Sequence, residues 1–192
     1  MPEVLLFHHA LGLTEGIRGF ADELRAAGHT VHTPDLFDGA TFATSDDGVA
    51  HAESVGFETL MSRGREIADE LRPDLVYAGF SLGVVAAQSV AQNRPGARGA
   101  LFYYSCVPTS AFGGDWPAEV PVQIHGMDRD PIFVDEGDID AARALVASAP
   151  RAELFTYPGD QHYFADRTLP SYDEAAATLL MQRTLAFLEA VG

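Results

Sequence analysis

The sequence predicts an α/β fold: a mostly parallel sheet of about six strands with helices on both faces. Three observations carry that expectation. Short apolar runs alternate with amphipathic stretches along the chain, and βαβα alternation packs as parallel strands joined by right-handed crossovers. Segment 74–87 runs from an apolar strand through Gly79-Phe80-Ser81-Leu82-Gly83 into a small-residue helix, a strand–turn–helix sequence tight enough to project its central serine. The 192 residues are 47% hydrophobic, enough for one substantial core, so 1–192 is expected to form a single domain.

The elements follow in order. Residues 4–7 form the first strand. Thr14 caps a helix over 14–27, and Gly28 stops it. A short strand at 30–33 ends at Pro34-Asp35. Residues 38–48 are polar and glycine-bearing and read as a loop. Val55, Leu60, Ile67 and Leu71 recur at roughly helical spacing, which places a helix in the later part of 54–71. Strand 75–80 and helix 82–92 flank the serine turn. Strand 97–105 leads into a Pro- and Gly-bearing loop over 107–118, which holds Trp116. Strand 120–125, helix 139–147 and strand 153–157 come next. The final helix covers 173–191, with Ala176, Leu180, Thr184, Phe187 and Val191 on one face.

Composition excludes several functions. The formal net charge is −16, and all 12 basic residues are arginines. Nucleic acid and anionic membrane surfaces require positive patches, so neither is an expected partner. Without lysine, Schiff-base and Ser-Lys chemistry are absent. No apolar run reaches the ~18 residues of a membrane span. The N-terminus lacks a basic start and a small-residue cleavage site, so a cytoplasmic location is expected. The single cysteine, Cys106, cannot form an intrachain disulfide. It reads as a buried inert thiol or, at a strand's end, as a neighbour of a pocket. No Gly-x-Gly-x-x-Gly, Walker or His-Glu-x-x-His pattern occurs. His8 and His9 are adjacent on a strand and point to opposite faces. No cofactor and no metal are expected, and the oligomeric state stays open.

Ser81 needs a base to accept its proton and a carboxylate to orient that base. Its helix N-terminus offers free N–H groups to developing negative charge. A Gly-rich turn with an incidental serine is the competing reading. Downstream, strand 122–125 runs into Gly126-Met127-Asp128-Arg129-Asp130-Pro131. Asp130 is the first choice of acid and Asp128 the reserve; both could instead serve only the turn. Strand 155–157 enters Pro158-Gly159-Asp160-Gln161-His162, and His162 is the candidate base. The order Ser, Asp, His is that of α/β hydrolases; the other six histidines precede both aspartates.

With these residues in place, the chain resembles the dienelactone hydrolase family. The resemblance runs from Val4-Leu5-Leu6-Phe7-His8-His9-Ala10-Leu11-Gly12-Leu13 through Thr33-Pro34-Asp35-Leu36-Phe37, Gly79-Phe80-Ser81-Leu82-Gly83 and Asp130-Pro131. It continues through Tyr157-Pro158-Gly159-Asp160-Gln161-His162-Tyr163-Phe164 to Leu169-Pro170-Ser171-Tyr172-Asp173. It implies an α/β-hydrolase fold without a large cap domain. It also implies Ser81 as nucleophile, Asp130 as acid, His162 as base, and an oxyanion hole from the N–H groups of Ala10 and Leu82. His9, Leu11, Phe80, Tyr104, Cys106 and Tyr163 are candidates for the substrate pocket; Tyr103 and Trp116 are further aromatic neighbours or core. The implied partner is a small ester or lactone. Two departures stand out: the family's namesakes carry cysteine where this chain has Ser81, and glutamate where it has His9. Arg167 is the only basic residue close to His162 in sequence, and it reads as a solvated charge. A binding protein on a hydrolase scaffold and an acyltransferase are the alternatives.

Overall fold

A computed structural model describes residues 1–192. Six strands, β1 (Glu3–Phe7), β2 (Thr30–His32), β3 (Val76–Phe80), β4 (Gly99–Tyr103), β5 (Val122–Met127) and β6 (Ala152–Tyr157), form one sheet in the order β2-β1-β3-β4-β5-β6. Every neighbouring pair is parallel. Alternation along the strands divides the core. Leu5, Phe7, Phe102 and Ile124 face one layer, and Val4, Leu6, Leu101 and Tyr103 face the other.

Seven helices cover the sheet. They are α1 (Glu15–Ala26), α2 (Ser45–Val55), α3 (Phe57–Asp69), α4 (Gly83–Asn93), α5 (Pro131–Asp135), α6 (Asp138–Ser148) and α7 (Glu174–Ala190). Side chains of α1 and α7 fill the Val4–Leu6 layer, while α3, α4 and α6 fill the other. Thr14 caps α1 as expected, its hydroxyl accepting from Ile17 N–H. In α7, Ala176, Leu180, Thr184 and Phe187 are buried, and the helix ends just before Val191. No helix is long and apolar enough to cross a membrane.

The chain leaves β1 toward β2 and then returns past β1 to β3. This reversal opens a crevice beyond the carboxyl ends of β1 and β3, where open α/β sheets bind ligands. Ala10 follows β1 and Ser81 follows β3, so the reversal brings both to one edge.

The expected loop over 38–48 is corrected. Helix α2 begins at Ser45, capped by Thr44, whose hydroxyl accepts from Asp47 N–H, with Asp46 and Asp47 in its first turn. Its signal is weak because only Gly48 and Ala52 are buried, so no apolar stripe marks it. The helix expected late in 54–71 is α3, separated from α2 by Gly56 at φ 90°. Two short elements were also absent from the expected order. A 3₁₀ turn at Thr109–Phe112 lies inside the 107–118 loop, and α5 follows Asp130.

Candidate active site

The geometry starts from two glycines. A Cβ on Gly79 would lie 2.5 Å from the Gly83 carbonyl carbon, and one on Gly83 would lie 2.5 Å from the carbonyl oxygen of His8. Only glycine permits β3, the start of α4 and the end of β1 to approach this closely. Ser81 sits between them at φ 49°, a left-handed conformation that costs a non-glycine residue energy. Its N–H donates to Tyr103 O at 2.7 Å, tying the turn to β4.

Ser81 Oγ lies 2.8 Å from His162 Nε2, and His162 Nδ1 lies 2.6 Å from Asp130 Oδ2. A carboxylate accepts, so Nδ1–H donates to Asp130 and Nε2 is left to accept the serine proton. Asp130 is fully buried and caps α5, its Oδ1 accepting from Ile132 N–H at 3.0 Å. One carboxylate thus starts a helix and holds the imidazole. Asp128 turns elsewhere: half exposed, it accepts at 3.1 Å from the N–H of Gly159, in the segment that follows β6.

Outside the helix and strand ladders, no hydrogen bond within the chain uses the N–H of Ala10 or Leu82. Leu82 follows Ser81 directly at the start of α4, and Ala10 lies three residues beyond β1, whose end packs against Gly83 through the carbonyls of Phe7 and His8. His9 is fully buried, its Nε2–H donating to Asp166 Oδ2 at 3.2 Å. Burial raises the Asp166 carboxyl, but hydrogen bonds from His9 and Thr168 outweigh it and leave the pKa below its usual value.

Leu11 and Tyr163 are nearly closed off from solvent and pack in the layer shared with α1 and α7. Phe80 lies in the core, stacked on Tyr103 at 4.5 Å. Tyr104, at φ 70°, accepts from Ala165 N–H at 3.0 Å and braces the segment after His162. Trp116 packs on Phe102. Cys106 is buried in the layer beneath α4 and α6. Burial, reinforced by the nearby Asp138 charge, pushes its thiol up to about 12. The native protein is therefore expected to resist a thiol-selective disulfide reagent at pH 8 and to release one equivalent only in denaturant; rapid native reaction would place Cys106 in the crevice.

Three residues beside these groups carried no sequence signal: Ser45, Asp138 and Asp166. Ser45 Oγ meets the Tyr163 hydroxyl at 3.0 Å. Asp138 accepts from Ser105 and Cys106 and contributes charge near His162; burial raises its carboxyl above the usual range despite those bonds. Before Ser45 the only local cue is the Thr44–Asp47 cap, with no apolar stripe behind it, and the contacts of Asp138 and Asp166 are purely tertiary. Arg167 pairs with Glu23 at 3.1 Å beside a concavity of about 170 Å³ between α1 and α7, which does not include Ser81. No group of three His, Cys, Asp or Glu side chains is arranged to hold a metal ion.

The family model for the dienelactone hydrolase family matches residues 1–192. The chain belongs to the dienelactone hydrolase family. Solved structures agree on the α/β-hydrolase fold. A Klebsiella pneumoniae protein provisionally classed as a dienelactone hydrolase superposes with TM-score 0.80 at 21% identity, over 98% of this chain and 87% of its own. The dienelactone hydrolase-like promiscuous phosphotriesterase P91, from metagenomic libraries, gives 0.80 at 16%, over 100% and 87%. The esterase Est2 of Thermogutta terrifontis, solved with propionate bound, gives 0.60 at 16%, over 100% and 84%. At such identities the likeness carries the fold alone. No protein of curated function matches the chain. As a dienelactone hydrolase family member, it is a hydrolase with small-molecule substrates.

Proposed function

We propose that residues 1–192 form one hydrolase domain that cleaves a small, uncharged carboxylic ester or lactone through an acyl-enzyme on Ser81. The observation that carries this reading is the continuous relay from Ser81 Oγ to His162 Nε2 at 2.8 Å and from His162 Nδ1 to Asp130 Oδ2 at 2.6 Å. Ser81 Oγ attacks the carbonyl, His162 takes its proton, and Asp130 steadies the imidazolium. The N–H groups of Ala10 and Leu82 receive the oxyanion, each worth ~3 kcal/mol. His162 returns the proton to the leaving oxygen. Water then attacks the acyl-enzyme with the same base.

Charge narrows the substrate. The ionisable carboxyls around Ser81 and His162 are Asp130, Asp138 and Asp166, and no arginine bonds to any of these site groups. An anionic acyl group such as the family's namesake lactone has no counter-charge here, whereas a neutral one needs none.

Purified protein is expected to take up one equivalent of a fluorophosphonate probe and to hydrolyse p-nitrophenyl acetate, with Ser81→Ala losing both. Failure of the wild type to label would sink the enzyme reading in favour of a binding protein. Persistent labelling of Ser81→Ala would move the nucleophile. Label without ester turnover, restored by an added alcohol, would identify an acyltransferase.

A further inference from the structure

The relay leaves one polar group at Ser81 without a role. Tyr163 follows His162 directly and is only 8% exposed. Its ring is wedged between His9 and His162, with centroids 4.9 and 4.7 Å away, and Tyr104 approaches edge-on at 6.3 Å. The His9 ring is itself held by Asp166. Three aromatic neighbours therefore fix the phenol's direction. Its hydroxyl meets Ser45 Oγ at 3.0 Å, and its ring packs on the imidazole that bonds Ser81 Oγ, near enough for the Ser81 hydroxyl to influence the phenol.

Ser45 places that hydroxyl relative to the chain after β1. Ser45 opens α2. One turn on, a Cβ on Gly48 would lie 2.0 Å from the Ala10 carbonyl oxygen. The start of α2 thus lies against Ala10, and the Tyr163 hydroxyl, bonded to Ser45 while its ring packs on His9, sits beside the segment that carries the Ala10 N–H. Packing alone does not call for an oxygen there, since phenylalanine would fill the same volume.

We propose that Tyr163 is a catalytic residue, donating its O–H to the substrate's carbonyl oxygen as a third oxyanion donor beside Ala10 and Leu82. The inference rests on the acyl-transfer reading of Ser81. As the bond from Ser81 Oγ to carbon forms, the carbonyl π pair moves onto oxygen and the serine proton passes to His162. The phenol stabilises that oxygen and keeps its own proton. Burial raises the Tyr163 pKa above its ordinary value, outweighing the opposing influence of the nearby Ser45 and Ser81 hydroxyls, so the group stays a donor through neutral pH. On collapse the carbonyl re-forms, the bond to the leaving oxygen breaks, and His162 supplies that oxygen's proton. Tyr163 then returns to Ser45.

The test compares Tyr163→Phe and Ser45→Ala with wild type. A lost oxyanion donor lowers kcat by about 10²-fold with KM nearly unchanged. The rate of fluorophosphonate labelling should fall in parallel, because the phosphoryl oxygen occupies the same hole, while the final stoichiometry still reaches one. An unchanged urea midpoint is expected for Tyr163→Phe, which keeps the ring packing. Ser45→Ala removes only the resting partner, and its loss should fall at least tenfold short. Wild-type rates in Tyr163→Phe, or an equal loss in Ser45→Ala, would overturn the proposal; the latter would make Tyr163 an anchor for α2. Failure of wild type itself to label would overturn the acyl-transfer reading and this inference together, whereas labelling at equal rates in wild type and Tyr163→Phe overturns the inference alone.

Discussion

Replacing Asp130 with asparagine is expected to lower ester turnover by about 10³–10⁴-fold, while Asp128→Asn stays within about tenfold of wild type. Asp130 accepts the Nδ1–H of His162 at 2.6 Å and is fully buried. An asparagine amide in that place can donate to Nδ1, favouring the tautomer with its proton on Nε2. That nitrogen faces Ser81 Oγ and could no longer accept. The other carboxylate oxygen accepts from Ile132 N–H, and the amide oxygen of asparagine can replace it, so the loss should appear in kcat more than in stability. Asp128 accepts from Gly159 N–H, a bond that asparagine keeps, and its one ion pair, with exposed Arg129 at 4.0 Å, is solvent-screened. Steady-state kinetics on p-nitrophenyl acetate, with urea unfolding of each variant, makes the comparison. The reverse ranking would move the acid to Asp128.

The choice between the two aspartates marks where sequence information ends. Both lie in one turn after β5, and Pro131 suggests only that Asp130 precedes a helix start. The selection is made by the return of the chain after β6, which sets His162 over Asp130 and Gly159 over Asp128. The elbow was legible because its physics is local: close strand–helix approach demands glycine at fixed offsets, and Gly79 and Gly83 are those residues. The central strands were legible as short apolar runs bounded by turn residues, since they are buried on both faces, and α7 by its periodic buried face. Helix α2 was not, because it buries only Gly48 and Ala52 and leans on Ala10 through the absence of a side chain. The pairing of His9 with Asp166 spans 157 residues, and no local pattern encodes it. Phe80 illustrates the opposite limit. Its place inside the elbow motif suggested the pocket, yet strand alternation turns its ring toward Phe20 and Tyr103.

Acidification from pH 7 to 4 is expected to remove much of the stability of this fold, through two histidines outside the relay. His8 is fully buried; its Nδ1–H donates to His9 O at 2.8 Å and its Nε2 accepts from Leu36 N–H at 3.0 Å. Protonation would point a second N–H at an existing donor. Burial lowers its pKa to about 4, despite Asp35 at 3.6 Å. His125 lies between Tyr103 and Phe155, with Nδ1 2.9 Å from the Tyr157 hydroxyl and Nε2 unpartnered. Burial, and then the Arg183 charge, lowers it to about 3. In the unfolded chain both titrate near ~6.5. Between that pH and 4 the unfolded state binds up to about two protons that the folded state refuses, so stability falls as pH falls and is flat above the window. Each histidine contributes roughly 3 kcal/mol of loss by pH 4, against a total stability of about 5–15 kcal/mol for an ordinary domain. The raised Asp138 carboxyl acts in the opposite direction, and the lowered Asp166 adds to the loss only in stronger acid. Urea midpoints should therefore be constant from pH 7 to 8 and drop steeply from 6 to 4. His125→Gln should flatten that drop by about one proton, whatever it does to the midpoint at pH 7. A midpoint at pH 4.5 equal to that at pH 7 would mean that the folded core accepts imidazolium at both positions, contrary to the hydrogen-bond directions around His8.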